Sequence, residues 1–268
     1  MKIILSRKGF DSANGGIVSP IFEDGTMVSF PIPSDDADTY NSLYYNGIQY
    51  SKILRDLRYK GGDHCHLDPD LDLGRRRERI DGWFSAFGQR NAAAAYLKNI
   101  GVAQGDIFLF FGNFHFVEYQ NGTYRYLRDR SDFYRGKDLQ VIWGYLQVGK
   151  IISAPEEQRK VWWHPHSSNG RADNSTNVIF KAAERLSLDK SKPGAGALRF
   201  DKKRVLTLKG ATKATWARNE VYDETHIYGK RSNCAKNPDR GLYYAGIWQE
   251  LGLKESDACT EWARNILL

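Results

Sequence analysis

The sequence predicts a mixed α+β fold, read as one domain over residues 1–268 around a central, largely antiparallel sheet. Three observations lead there. Two aromatic-rich runs of strand character, GDIFLFFGNFHFVEY and DLQVIWGYLQVGKII, sit mid-chain. Asn121-Gly122 closes the first run as a hairpin signal. Helix-like stretches flank them, with no internal repeat and no long low-complexity linker, which favours one mixed core.

In chain order, KIIL reads as a first strand, since its apolar run is too short for a signal peptide. GFDSANGG is turn chemistry. MVSFPIP is a second extended run, stopped by Pro31 and Pro33. Residues 34–60 are polar, with a short amphipathic stretch around SKILRDLRY. DGWFSAFGQRNAAAAYLKNI (81–100) is expected to be a helix, with Ala92 to Ala95 as helix formers and Gly101 at its C-terminal cap. The two aromatic runs then form strands, and the glycines of the second mark bulges or tight bends. NVIF and RVLTLK are short strand candidates, SLDKSKPGAGALRF is a loop, and DACTEWARNILL is a closing helix with Asp257 as N-cap.

Bulk properties narrow the function classes. Nothing approaches the roughly 18 consecutive apolar residues of a membrane span, so the expected location is cytoplasmic and no membrane partner is expected. Cys65, Cys234 and Cys259 are far apart and form no CxxC pair, which argues against a disulfide framework or a zinc ribbon. A net charge of +7 with 13 % aromatic residues suits contact with a nucleotide or DNA, because cations meet phosphates and rings stack on bases.

The densest chemistry lies in GGDHCHLDPDLDLG. In an extended chain His64, His66, Asp68 and Asp70 would share one face. Imidazole and carboxylate suit a divalent transition metal; the alternative is a polar turn of helix caps. WWHPHSSNGRAD repeats the H-x-H spacing at His164 and His166 in a chain with six histidines. If the loops meet, His64, His66, Asp70, His164 and His166 are the expected metal ligands, with Asp68 and Asp173 as further carboxylates; otherwise the histidines stack on Trp162 or Trp163. His66, Asp68, Asp70, Asp11 and Gln89 are the candidates for acid–base work and base reading.

SRKGFDSANGG offers Ser6, Arg7 and Lys8 to a phosphate where a strand enters a glycine-rich turn. It matches neither a Walker A motif nor a dinucleotide fingerprint. Gln249 and Glu250 form a polar pair in an apolar run that needs partners. His115 faces away from Phe114 and Phe116 in its strand, toward a pocket or the surface. Cys65 would face away from the flanking histidines.

Two resemblances follow from these phrases. GDIFLFFG, a hairpin and VIWGYLQVGKII are similar to PUA-like and EVE-like modules, small β-barrels that hold modified bases, over about 105–153. ILSRKGFDS, HLDPDL, FGQ, GDIFLFFG, GYLQVG and HPH together resemble the nucleotide-modification-associated domain family, third class, over nearly the whole chain. The resemblance departs at Gly112-Asn113-Phe114 and at the flanks of Gln249-Glu250. It implies association with systems that modify nucleotides or DNA bases in bacteria and phages. The expected function is an enzyme or enzyme-like component acting on a nucleotide or base. The alternatives are a reader of modified bases, with Phe114, Trp143 and Tyr145 stacking on the base, and a structural protein.

Overall fold

The computed structural model describes residues 1–71, 79–168, 170–222, 226–229, 241–244 and 248–268. The RRRER stretch of 75–79, apart from Arg79, and Cys234 therefore lie outside the described residues. In chain order the strands are β1 (Ile3–Arg7), β2 (Ser19–Ile21), β3 (Ile32–Pro33), β4 (Tyr44–Tyr45), β5 (Ile48–Gln49), β6 (Cys65–His66), β7 (Ala86–Gln89), β8 (Ile107–Gln120), β9 (Thr123–Tyr126), β10 (Leu139–Ile152), β11 (Val178–Ala182), β12 (Arg185–Leu186), β13 (Asp189–Pro193), β14 (Ala195–Ala197) and β15 (Glu250–Leu253). The α-helices are α1 (Tyr50–Asp56), α2 (Asn91–Asn99), α3 (Pro155–Arg159) and α4 (Asp257–Leu267).

The fold is α+β around one large mixed sheet, ordered β15-β1-β8-β10-β11-β7, with β2 and β9 added on β8 and β14 on β10. Most pairs are antiparallel; β1 and β2 run parallel to β8. Burial on both sides explains why the two mid-chain runs are largely apolar: β8 from Ile107 to Phe114 and β10 from Leu139 to Val148 are buried without alternation, and their polar members Asn113, Gln140 and Gln147 are hydrogen-bonded. Asn121 and Gly122 take φ of 51° and 80° in the β8–β9 hairpin, as its sequence demands. The register of β10 shifts between Ile142 and Gly144 and again between Val148 and Lys150. At the second shift a Cβ on Gly149 would lie 2.7 Å from the Ala182 carbonyl, so the bend requires glycine. Segment 105–153 thus supplies the two central strands of the sheet, and the described strands close no barrel.

A second apolar cluster, built on Phe10, Phe30, Tyr40, Tyr50, Ile53 and Leu54, holds the 34–60 segment and α1. Five expectations change. The 81–100 helix starts only at Asn91, because Ala86–Gln89 pairs with β11 as a strand and packs Phe87 on Phe180. The 187–200 loop contains β13 and β14, recruited by pairing with β12 and β10. RVLTLK makes only isolated bridges, Val205 to Val141 and Thr207 to Trp216, and MVSFPIP forms a strand only at Ile32–Pro33, beside an isolated bridge from Met27 to Ile21. The N-cap of α4 is Ser256, whose hydroxyl accepts from Cys259 N–H, rather than Asp257. Gly101 does follow α2 with φ of 67°. No described helix is long and apolar enough to cross a membrane.

Candidate functional site

Sheet pairing brings distant segments to one place. At the end of β1, Arg7 N–H donates to the Gln249 carbonyl and Lys8 N–H to the Phe111 carbonyl. Ser6 is in register with Glu250. Backbone bonds between Asp70 and Ala86 lay the 64–70 loop along the start of β7. Gly88 N–H then donates to Asp68 Oδ1 at 2.7 Å. The turn carrying His166 packs on the same strand: a Cβ at Gly88 would lie 2.3 Å from the His166 ring, so only glycine lets that ring approach.

The two histidine loops therefore meet, and Asp68 is their junction. His164 Nε2 lies 3.2 Å from Asp68 Oδ1, and the Nε2 atoms of His166 and His66 lie 3.8 and 3.9 Å from Asp68 Oδ2. One ligand atom from each of His66, Asp68 and His166 falls within 4.8 Å of the others. Ligand atoms about 2.1 Å from a tetrahedral ion are about 3.4 Å apart, so the 3.8 and 3.9 Å edges to Asp68 would shorten by about half an ångström to hold one.

The outer contacts decide which ring nitrogen faces the triangle. Asn177 Nδ2 donates to Gln158 Oε1 (2.6 Å) and to the His166 carbonyl (2.9 Å). Its Oδ1 is thus left as acceptor for His166 Nδ1–H at 2.6 Å. Gln158 is oriented in turn by donating to the Asn177 and Ser153 carbonyls. On the other side His66 Nδ1–H donates to Asp36 Oδ2 at 2.7 Å. Asp36 is clamped by Arg171 through both oxygens and accepts from Ser34 Oγ at 2.9 Å. Each Nδ1 is thus taken up by an outer partner, which leaves Nε2 as the ring atom that faces Asp68, the arrangement typical of metal-ligating histidines.

Electrostatics agree. Burial pushes the Asp68 carboxyl up, but the close His164 ring and the Lys8 ammonium outweigh it and hold the carboxyl well below the usual range. Burial drives the His166 imidazole down to about 3, so the ring is neutral. Burial also acts against ionised Asp36, yet His66 and Arg171 keep its carboxyl well below the ordinary value.

Beside this cluster lies a second group of polar side chains. Glu250 Oε1 accepts from Gln89 Nε2 (2.7 Å) and Ser6 Oγ (3.0 Å), and stands 3.9 Å from Lys8 Nζ. Burial raises the Glu250 carboxyl to about 7 despite Lys8, so it exchanges a proton near neutrality. Lys8 Nζ also lies 4.4 Å above the Phe87 ring. Lys8, Gln89 and Glu250 line one cavity of about 710 Å³ with His66, Asp68 and His166, together with Arg7, Arg90, Arg171, Tyr96 and Trp248. The volume is that of a nucleotide-sized ligand pocket.

Placement differs from expectation at several residues. His64 turns out of the cluster and bonds the Asp36 carbonyl through Nδ1 at 2.7 Å. Asp70 points into the protein, where Arg79 (2.7 Å) and the Trp83 indole (2.9 Å) bond its Oδ2. The extended chain spans only Cys65–His66, so the shared face expected for 64–70 is lost after His66. His164 adjoins Asp68 but lies outside the three-residue group; its Nδ1 accepts from His166 N–H at 3.2 Å. Asp11 accepts from Ala13 and Asn14 N–H and pairs with Arg7 at 3.5 Å, which shapes the turn and aims Arg7. Asp173 pairs with Arg159 at the surface. Trp163 packs on Phe84 rather than on a histidine. Phe114, Trp143 and Tyr145 are core residues and cannot stack on a base. Sequence reasoning missed Asp36, Arg171, Asn177 and Gln158, which carry no local motif.

The family described as nucleotide modification associated domain 3 matches residues 2–253. No curated protein and no solved structure matches the chain.

Proposed function

Because the chain belongs to the nucleotide modification associated domain 3 family, we propose that it is a metal-dependent enzyme acting on a nucleotide or nucleobase. The observation that carries this is the convergence of two histidine Nε2 atoms and the Asp68 carboxylate on the wall of a basic cavity. Two imidazoles and one carboxylate suit a divalent transition metal such as zinc or iron, with further positions left for water or substrate. Such an ion supplies a polarised, acidified water or a Lewis-acid contact.

The chain's own groups divide the remaining work. Lys8 and Arg7 offer charge-assisted bonds to a phosphate, and Arg7 is aimed by Asp11. Trp248 and Tyr96 offer the cavity aromatic surface for a base. Glu250, held by Ser6 and Gln89, gives or takes a proton near pH 7. Gln249 Oε1, 3.3 Å from Gln89 Nε2, completes the polar edge.

The test is to load the protein separately with Zn(II), Fe(II) and Mn(II), incubate it with DNA and with nucleoside monophosphates, and weigh the nucleosides by mass spectrometry. A covalent change that Asp68→Asn abolishes is expected. Metal-loaded protein that binds DNA selectively by base modification, with every nucleoside mass unchanged, would make it a reader instead.

A further inference from the structure

A second cavity, of about 830 Å³, adjoins the first and shares Asp11 with it. Its cations are Arg128, Arg130, Lys137 and Lys213, and its carboxylates Asp11, Asp129 and Asp138. Each carboxylate is engaged close to home. Asp129 Oδ1 accepts from the N–H groups of Ser131 (2.8 Å) and Asp132 (3.2 Å). Asp138 holds His115 at 2.8 Å and Lys213 at 3.4 Å. Asp11 is committed to its own turn and to Arg7.

Arg128, Arg130 and Lys137 remain. All three are exposed, and none pairs with a carboxylate among the described residues. Three unneutralised cations in one concavity favour a polyanion. Their place beside the candidate site says which one. The Asp68 side chain is only 2 % exposed and His166 4 %. A base stacked within a duplex could not reach groups buried this deeply, so the reacting nucleotide must be unstacked.

Resting on the function proposed above, we infer that the substrate is a nucleotide within a single-stranded or locally opened DNA strand, and that the second cavity binds the flanking phosphodiester backbone. The target nucleotide occupies the first cavity, and the chain continues past the Asp11 turn onto Arg128, Arg130 and Lys137. His115, fixed by Asp138 and by the Leu127 carbonyl at 2.8 Å, forms part of that cavity's floor.

The test compares the wild type with the triple variant Arg128→Ala, Arg130→Ala, Lys137→Ala. The probes are a labelled, mixed-sequence single-stranded DNA of about twelve nucleotides, within the usual site-size range, and an equimolar mixture of the four deoxynucleoside monophosphates. The wild type should bind the strand at least tenfold more tightly than the monophosphates. The triple variant should lose most of that advantage, keep its monophosphate affinity, and flatten the slope of log affinity against log salt by about two, as expected for three lost phosphate contacts. Unchanged strand affinity and salt slope in the variant would overturn the inference. So would polyglutamate competing as well as DNA, which would mark a general polyanion patch. Metal content, measured on the same samples, reports separately on the metal reading and tells its failure apart from failure of the backbone subsite.

Discussion

Asn177 Oδ1 accepts a 2.6 Å hydrogen bond from His166 Nδ1, and so turns the bare Nε2 of that ring toward Asp68. The relationship is enforced from outside, because Gln158 and the His166 carbonyl use both donors of the Asn177 amide group. Asn177→Leu keeps the volume but frees the tautomer. Metal affinity is expected to fall about ten- to a hundredfold, as for other outer-sphere partners. Competition with a chromophoric chelator measures this; unchanged affinity would remove Asn177 from the account.

Gly88 makes the same point sterically. A Cβ there would press into the His166 ring at 2.3 Å. Gly88→Ala should leave the circular-dichroism spectrum close to wild type while metal stoichiometry drops well below one per chain. A variant that binds metal normally would mean that the ring position is not required.

The two histidine loops also predict a contrast within one segment. His64 and Asp70 are turned away from the cluster. His64→Ala should keep full metal content and cost under about 1 kcal/mol, as surface changes do. Asp70→Ala should also keep metal, but it strips the Arg79 guanidinium and the Trp83 indole of a shared acceptor and should cost about 3 kcal/mol in a denaturant titration. Metal loss in either variant would contradict the assignment.

Glu250 gives a pH prediction. Its carboxyl is raised from 4.5 to about 7, chiefly by burial. The folded state therefore binds this proton more tightly than the unfolded chain. Its contribution to stability is complete below about pH 4.5 and is lost as the pH rises through about 7, a span of roughly 3 kcal/mol. Glu250→Gln should flatten that fall in urea titrations run between pH 5 and 8. An equally steep fall in the variant would place the titrating group elsewhere.

Much of this was legible before the structure, for identifiable reasons. The apolar runs of β8 and β10 and the Asn121-Gly122 hairpin are local signals, and they read correctly. The H-x-H pairs marked both loops because two such pairs among six histidines stand out. What could not be read was which side of each loop faces inward. Alternation would have put Asp70 beside His66, whereas the strand ends at His66 and leaves Asp68 as the inward carboxylate. The helix expected at 81–100 failed for a related reason: pairing with Val178–Ala182 overrides local propensity at Ala86–Gln89 and creates the surface on which His166 rests. Asp36, Arg171 and Asn177 were invisible because their roles come from tertiary contact alone.

The most direct test of the central claim is elemental analysis of untagged protein after reconstitution with zinc, iron or manganese, beside His66→Ala, Asp68→Asn and His166→Ala. The account predicts about one transition-metal ion per wild-type chain, and stoichiometric loss in all three variants with the fold retained. A wild type that takes up no metal, or His66→Ala and His166→Ala proteins that both keep it, would contradict the account.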